Sequence, residues 1–151
     1  MAIQVGGQAP NIKTPAFFLA SLKGQRVVVF FFPKADTPGC TKEACEFRDS
    51  SKTFAKKNAT IIGVSPDQPA AHAKFSTKYG LPYTLVADPD HAIAEAYGVW
   101  KEKSMYGRKY MGIERTTFVI DEKGRIAHIF AKVKPAGHAA QVLEALASEQ
   151  K

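Results

Sequence analysis

Cys40 and Cys45 are the two cysteines of a 151-residue chain, and Cys40 lies where a sulfur can act as a nucleophile. The thiolate attacks and the thiol does not, so a reactive cysteine needs its charged form favoured. In Thr37-Pro38-Gly39-Cys40, Thr37 suits a helix N-cap and Pro38 the first helical position, which places Cys40 at the third. The first turn of a helix offers unbonded backbone N–H groups and the positive end of the helix dipole. Gly39 removes a side chain beside the sulfur. Pro33 ends a strand just upstream, so the segment lies at the carboxyl end of a strand, where open α/β sheets gather their sites. A small buried hydrophobe is the alternative role for a cysteine. The neighbours here are Thr, Pro, Gly, Thr and Lys, a poor composition for a core.

Cys45 follows five residues later. On a continuous helix that offset means an axial rise of about 7.5 Å and a rotation of about 140°. A disulfide wants Cα atoms within about 6.8 Å, so an intact helix cannot hold one between these residues. If the pair closes, the first turns must unwind, and Cys45 would then resolve an oxidised Cys40. The other reading of Cys45 is a core cysteine on the face shared with Ala44. The spacing is not the Cys-x-x-Cys of dithiol oxidoreductases. A zinc site would need further ligands, and His72, His91, His128 and His138 are scattered and read as surface or helix residues. A cysteine hydrolase would need a histidine base near Cys40, and nothing in the sequence selects one.

The hydrophobic pattern supplies a scaffold. Residues 26–32 are a β-branched and aromatic run closed by Pro33, which reads as a strand buried on both faces. Beyond Cys40, residues Ala44, Phe47, Ser51, Phe54 and Ala55 share one helical face, with Lys42, Glu46, Asp49 and Lys56 elsewhere. Residues 60–65 read as a second strand, and 69–79 as a helix started by Pro69 and stopped by Gly80. A short strand at 83–87 precedes a helix that starts at Asp88-Pro89 and ends near Gly98. Residues 99–114 read as a polar and aromatic loop. Strands at 115–121 and 125–131 turn about Glu122-Lys123-Gly124, and 139–148 is a final amphipathic helix. Residues 1–25 read as irregular. The order predicts a βαβ start with right-handed crossover, followed by antiparallel strands at one side. That is an α/β fold, a thioredoxin-like three-layer sandwich with a mixed central β-sheet, in one domain spanning 1–151.

Composition narrows the function. Hydrophobic residues make up 45% and charged residues 23% of the chain, enough apolar material for a core. The formal net charge is +7, but basic residues run no longer than pairs such as Lys56-Lys57, with no nucleic-acid motif. The longest apolar run, 27–32, is far short of a membrane span. Met1 to Gly7 lacks the charged and apolar regions of a signal peptide. The expectation is a cytoplasmic protein without nucleic-acid or membrane partners, where a disulfide is transient and catalytic.

Pro33-Lys34-Ala35-Asp36-Thr37-Pro38-Gly39-Cys40 resembles the peroxiredoxin active-site motif, Pro-x-x-x-Thr-x-x-Cys. The continuation Thr41-Lys42-Glu43-Ala44-Cys45-Glu46-Phe47-Arg48-Asp49 is similar to the peroxiredoxin Q subfamily, also called bacterioferritin comigratory protein. Gly63-Val64-Ser65, Asp88-Pro89-Asp90, Tyr97-Gly98-Val99-Trp100 and residues 115–121 extend the resemblance over nearly the whole chain. It implies a thioredoxin-dependent peroxiredoxin of the atypical 2-Cys type, without cofactor or metal. Cys40 would be the peroxidatic cysteine, reducing hydrogen peroxide and organic hydroperoxides and becoming a sulfenic acid. Cys45 would resolve it as an intramolecular disulfide, and thioredoxin or a similar dithiol would reset the bond. Thr37 would orient the peroxide, Pro33 would shield the thiolate from water, and Arg115 would be the cation beside the sulfur. Without the resemblance, Arg115 reads as a surface residue at a strand start. Glu43 matches the pattern too, and equally reads as complementing the helix dipole. Closure within one chain suggests a monomer. One departure stands out: Asn11-Ile12 replaces the family's Asp-Phe after Ala9-Pro10, and the stretch to Gly24 is short. A truncated or rearranged N-terminal hairpin follows. Two rival functions remain, a disulfide reductase or redox sensor on the same fold, and a non-enzymatic module that binds through its basic surface.

Overall fold

The structure, a computed structural model, describes residues 3–14 and 17–149. Its frame is a five-stranded sheet. The elements in chain order are β1 (Lys13–Thr14), β2 (Phe17–Phe18), β3 (Arg26–Phe31), α1 (Pro38–Asp49), α2 (Ser51–Lys56), β4 (Ala59–Ser65), α3 (Pro69–Tyr79) and β5 (Thr84–Ala87). Then come α4 (Ala92–Ala96), β6 (Trp100–Met105), β7 (Arg108–Ile113), β8 (Thr116–Ile120), β9 (Ile126–Phe130) and α5 (His138–Glu149). β3, β4 and β5 run parallel, while β8 pairs antiparallel with both β3 and β9. This is the mixed α/β sheet that the element order predicts.

β3 is the central strand because it is apolar on both sides. All six of its residues are buried. Side chains alternate across a strand, so Val27, Val29 and Phe31 join one core with Ile12, Leu19, Tyr97 and Ile113. Val28, Phe30 and Phe32 join the other, beneath Cys40, Ala44 and Phe47 of α1, Phe75 of α3, and Val142 and Leu146 of α5. Phe30 and Phe47 stack with ring centroids 4.7 Å apart, which locks α1 onto the sheet. Gly63 on β4 permits this packing, since a Cβ there would lie 2.8 Å from Phe30 Cζ.

Four local readings change. Residues 99–114 are a β-hairpin, β6 paired with β7, and not a loop. The strands show no alternation because most of their side chains face solvent. The turn signal was there, since Tyr106 and Gly107 both take positive φ, +53° and +77°, as tight hairpin turns demand. The long helix after Cys40 breaks at Ser50 into α1 and α2. The helix expected from Asp88 starts only at Ala92, and the Asp88 carboxylate accepts the N–H groups of Ile93 and Ala94 instead. Residues 1–25 are not wholly irregular. β1 and β2 form a hairpin of two residues a side, followed by a 3-10 turn at Leu19–Leu22. Residues 15 and 16 lie outside the described residues.

Candidate active site

The site forms where β3 hands over to α1. Four bonds hold the connecting segment. The Ala35 N–H donates to Asp67 Oδ2 at 2.8 Å, the Thr37 hydroxyl donates to the Lys34 carbonyl at 2.8 Å, and Asp36 binds Lys78 Nζ at 2.9 Å and the Tyr79 hydroxyl at 2.8 Å. Thr37 is the N-cap by position, with extended backbone, and Pro38 is the first helical residue. Its hydroxyl does not cap the helix, because it is turned back to Lys34. Pro33, half-buried, precedes this segment.

Cys40 is therefore the third residue of α1 and is 1% exposed. Its sulfur accepts a hydrogen bond from Arg115 Nη2 at 3.2 Å. The other terminal nitrogen, Nη1, donates to Glu43 Oε1 at 2.7 Å. One guanidinium thus bridges two residues a single helical turn apart. Register explains how Arg115 arrives there. β8 runs antiparallel to β3 with Thr116 opposite Phe31, so the residue before β8 lies at the end of β3 from which the Cys40 segment leaves. A methyl on Gly39 would sit 3.4 Å from both Arg115 Nη2 and Pro135 Cγ, so these two groups bound the space that Gly39 leaves open.

The electrostatics follow from burial. The Glu43 side chain is wholly buried, and burial pushes its carboxyl up to about 7, against the pull of Arg115. Its Oε2 has no hydrogen-bond partner among the described residues. Burial works against the Arg115 charge, but Glu43 and Cys40 beside it prevail, and the guanidinium holds its proton more firmly than usual. The arrangement gives the sulfur a fixed cation, an aligned N–H donor and the start of a helix, all of which favour negative charge there. No histidine performs that task. His138 engages Thr117 and Gln141, and His72 engages Ser65. Among the described residues no cluster of three or more His, Cys, Asp or Glu could hold a metal ion.

Cys45 lies on the same unbroken α1 and is half-buried. It opens into a shallow depression with Asp36, Pro38, Thr41, Lys42 and Tyr79. Both cysteines are free thiols, so the helix is intact in the reduced state.

Sequence reasoning missed two neighbours and left Glu43 between two roles. Glu43 is no solvent-facing dipole partner but the buried mate of Arg115. Cys40, Glu43, Ala44 and Phe47 are all buried on α1, an i, i+3, i+4, i+7 stripe that was available to read. Lys103, on the unforeseen β6, lies in electrostatic reach of Arg115 and Cys40, and burial lowers its pKa. Tyr83, read only as a strand residue, donates its hydroxyl to the Ala44 carbonyl at 2.6 Å.

The chain is similar to known proteins. The AhpC/TSA family model matches residues 5–129. Peroxiredoxin Bcp of Bacillus subtilis is 46% identical over 151 residues, covering 97% of this chain and 96% of its own. Peroxiredoxin Q of Xanthomonas campestris superposes with a TM-score of 0.85 at 42% identity, over 89% of this chain and 85% of that one. The Xylella fastidiosa PrxQ gives 0.91 at 34% identity, over 100% and 99%. The Xanthomonas campestris bacterioferritin comigratory protein, studied for alkyl peroxide reduction, gives 0.89 at 37% identity, over 98% and 100%. A thiol held by an arginine at a helix start, on a thioredoxin-like sheet, in a chain this close to Bcp and peroxiredoxin Q, belongs to a peroxiredoxin of the AhpC/TSA family.

Proposed function

We propose that this peroxiredoxin reduces hydrogen peroxide and organic hydroperoxides through Cys40, and that Cys45 closes the cycle as an intramolecular disulfide. The observation that carries the reading is the 3.2 Å contact between Arg115 Nη2 and Cys40 Sγ. The Cys40 thiolate attacks one peroxide oxygen, the O–O bond breaks, and the departing oxygen leaves as water or an alcohol after taking a proton. Arg115 stabilises negative charge as it passes from sulfur to oxygen. The Thr37 hydroxyl spends its proton on Lys34, so its oxygen is left to accept a hydrogen bond from the peroxide. Pro33 limits the access of water to the sulfur. The Cys45 sulfur then attacks the sulfenic acid and expels water, forming the disulfide, and thioredoxin or a similar dithiol reduces it by exchange. Because both sulfurs sit on one helix, the cycle needs no second chain, in keeping with a monomer. Alkyl peroxide reduction in the Xanthomonas campestris relative supports organic hydroperoxides among the substrates.

Mass spectrometry of thiols after one equivalent of peroxide tests this. The wild type should show a Cys40–Cys45 bond within one chain. Cys40→Ser should consume no peroxide, and Cys45→Ser should stop at a sulfenic acid on Cys40. Full turnover by Cys40→Ser would sink the assignment.

A further inference from the structure

We propose that Tyr83 is a positioning residue for the second half of the cycle, a latch that decides how readily α1 unwinds to bring Cys45 to an oxidised Cys40. This rests on the resolving role given to Cys45 above. The bond at issue joins two elements. Tyr83 directly precedes β5, and its hydroxyl donates to the Ala44 carbonyl, in the middle of α1, at 2.6 Å. A helical carbonyl already accepts from the N–H four residues on, so this second donor is not needed to satisfy the backbone. Its effect is to tie one point of the helix, the residue before Cys45, to the edge of the sheet. The Tyr83 ring is wedged edge-on against Phe30, with centroids 5.7 Å apart, and Phe30 also stacks on Phe47 of α1. The hydroxyl cannot follow a moving helix without leaving that packing.

On an ideal helix, Cα atoms five residues apart are separated by roughly 8.7 Å, and a disulfide needs them within about 6.8 Å. The chain between Cys40 and Cys45 has to lose helical form, and Ala44 lies inside that stretch. Other contacts hold the two ends of the segment. Arg115 grips Cys40 and Glu43, Glu46 Oε1 accepts the Gly137 N–H at 2.8 Å, and Arg48 donates to the Tyr79 carbonyl at 2.8 Å. The Arg115 grip is part of the peroxide site and cannot be weakened without harming the first step. The Glu46 and Arg48 contacts lie beyond Cys45 and can persist while the segment opens. Among the described residues, Tyr83 is the side chain that hydrogen-bonds within the segment yet does not touch Cys40. It therefore controls the opening separately from the chemistry, and with it the division of sulfenic acid between disulfide and further oxidation to sulfinic acid.

The test is Tyr83→Phe, which removes one oxygen and leaves the ring packing and the helical bond of Ala44 in place. Single-turnover kinetics with hydrogen peroxide should show a first step within twofold of wild type, which also certifies the fold. Disulfide formation should be roughly fivefold faster, the factor expected for one neutral hydrogen bond. The sulfinic fraction at excess peroxide should fall in proportion, and amide exchange across residues 41–45 of the reduced protein should rise. Disulfide formation at the wild-type rate or slower overturns the latch, as does a first step slowed as much as the second. If the wild type itself forms no Cys40–Cys45 disulfide, the resolving role fails and the latch fails with it, a result distinct from a wild type that closes normally beside an unaltered Tyr83→Phe.

Discussion

Cys40 is 1% exposed and shares its side of α1 with Glu43, Ala44 and Phe47, whereas Cys45 is half-buried and shares its side with Thr41 and Lys42. The first side packs on the sheet, and its charges are desolvated and paired. The second faces solvent, and its nearest ion pair, Lys42 with Glu46 at 3.8 Å, is open to water. One helix thus offers a thiol held in place by a cation and another that can be reached from outside. The difference teaches how a single element can serve two steps. Under the proposed cycle, the sulfur that meets peroxide is fixed by tertiary contacts, and the sulfur that travels is left with few.

Substitutions can break that contrast. The largest effect should come from Arg115→Met. It removes the cation from Cys40 and leaves Glu43 buried without its mate. The second-order rate with peroxide should fall by about 10² to 10³, in line with losing one preorganised donor to developing charge. Chemical denaturation should show a loss of about 3 kcal/mol from the stranded carboxyl. Cysteine alkylation at Cys45 should be unchanged, and a parallel loss there would erase the distinction between the two sides.

A middle effect belongs to Glu43→Gln. Burial pushes the Glu43 carboxyl up to about 7, from an ordinary value of 4.5. A carboxyl whose pKa is raised by folding stabilises the native state fully below the unfolded value. That contribution is lost as pH rises from about 4.5 through about 7. The stability of wild type relative to Glu43→Gln should therefore decline across that window, by up to about 3 kcal/mol. Melting temperatures of both proteins, measured in steps from pH 4 to pH 8, would show it, and a flat difference would contradict a carboxyl raised by burial. The smallest effect should be Lys42→Ala on the Cys45 side, within about 0.5 kcal/mol and without change in the peroxide step. A larger cost in denaturant would mean that this side is more constrained than its exposure suggests.

Legibility in the sequence followed burial. β3 and α3 could be read closely, because a doubly buried strand is a continuous apolar run, and Pro69 and Gly80 bracket their helix. The β6–β7 hairpin could not, because residues such as Lys101, Glu102, Arg108 and Lys109 are exposed and leave no apolar period. Cys40 stood out from its helix-start setting alone. Arg115 did not, because its approach depends on a register between strands 85 residues apart, Phe31 with Thr116, and no local pattern encodes that pairing. It entered through the family motif. The burial of Glu43 was hidden by its own chemistry, since a carboxylate in a stripe is scored as polar even when a guanidinium receives it. Tyr83 was hidden because its partner is a backbone carbonyl, which has no residue identity to read.

The antiparallel ladder between β8 and β3 has a kinetic consequence. Arg115 is anchored beside five paired positions in the centre of the sheet, so it keeps its place when the first turns of α1 come apart. Under the proposed cycle, recovery after reduction is then the regrowth of a short helix against a waiting cation, and no strand has to be paired again. Helix growth takes nanoseconds per residue and helix–coil relaxation at most about a microsecond. The time spent restoring the site is thus negligible beside the opening of α1 and the sulfur chemistry.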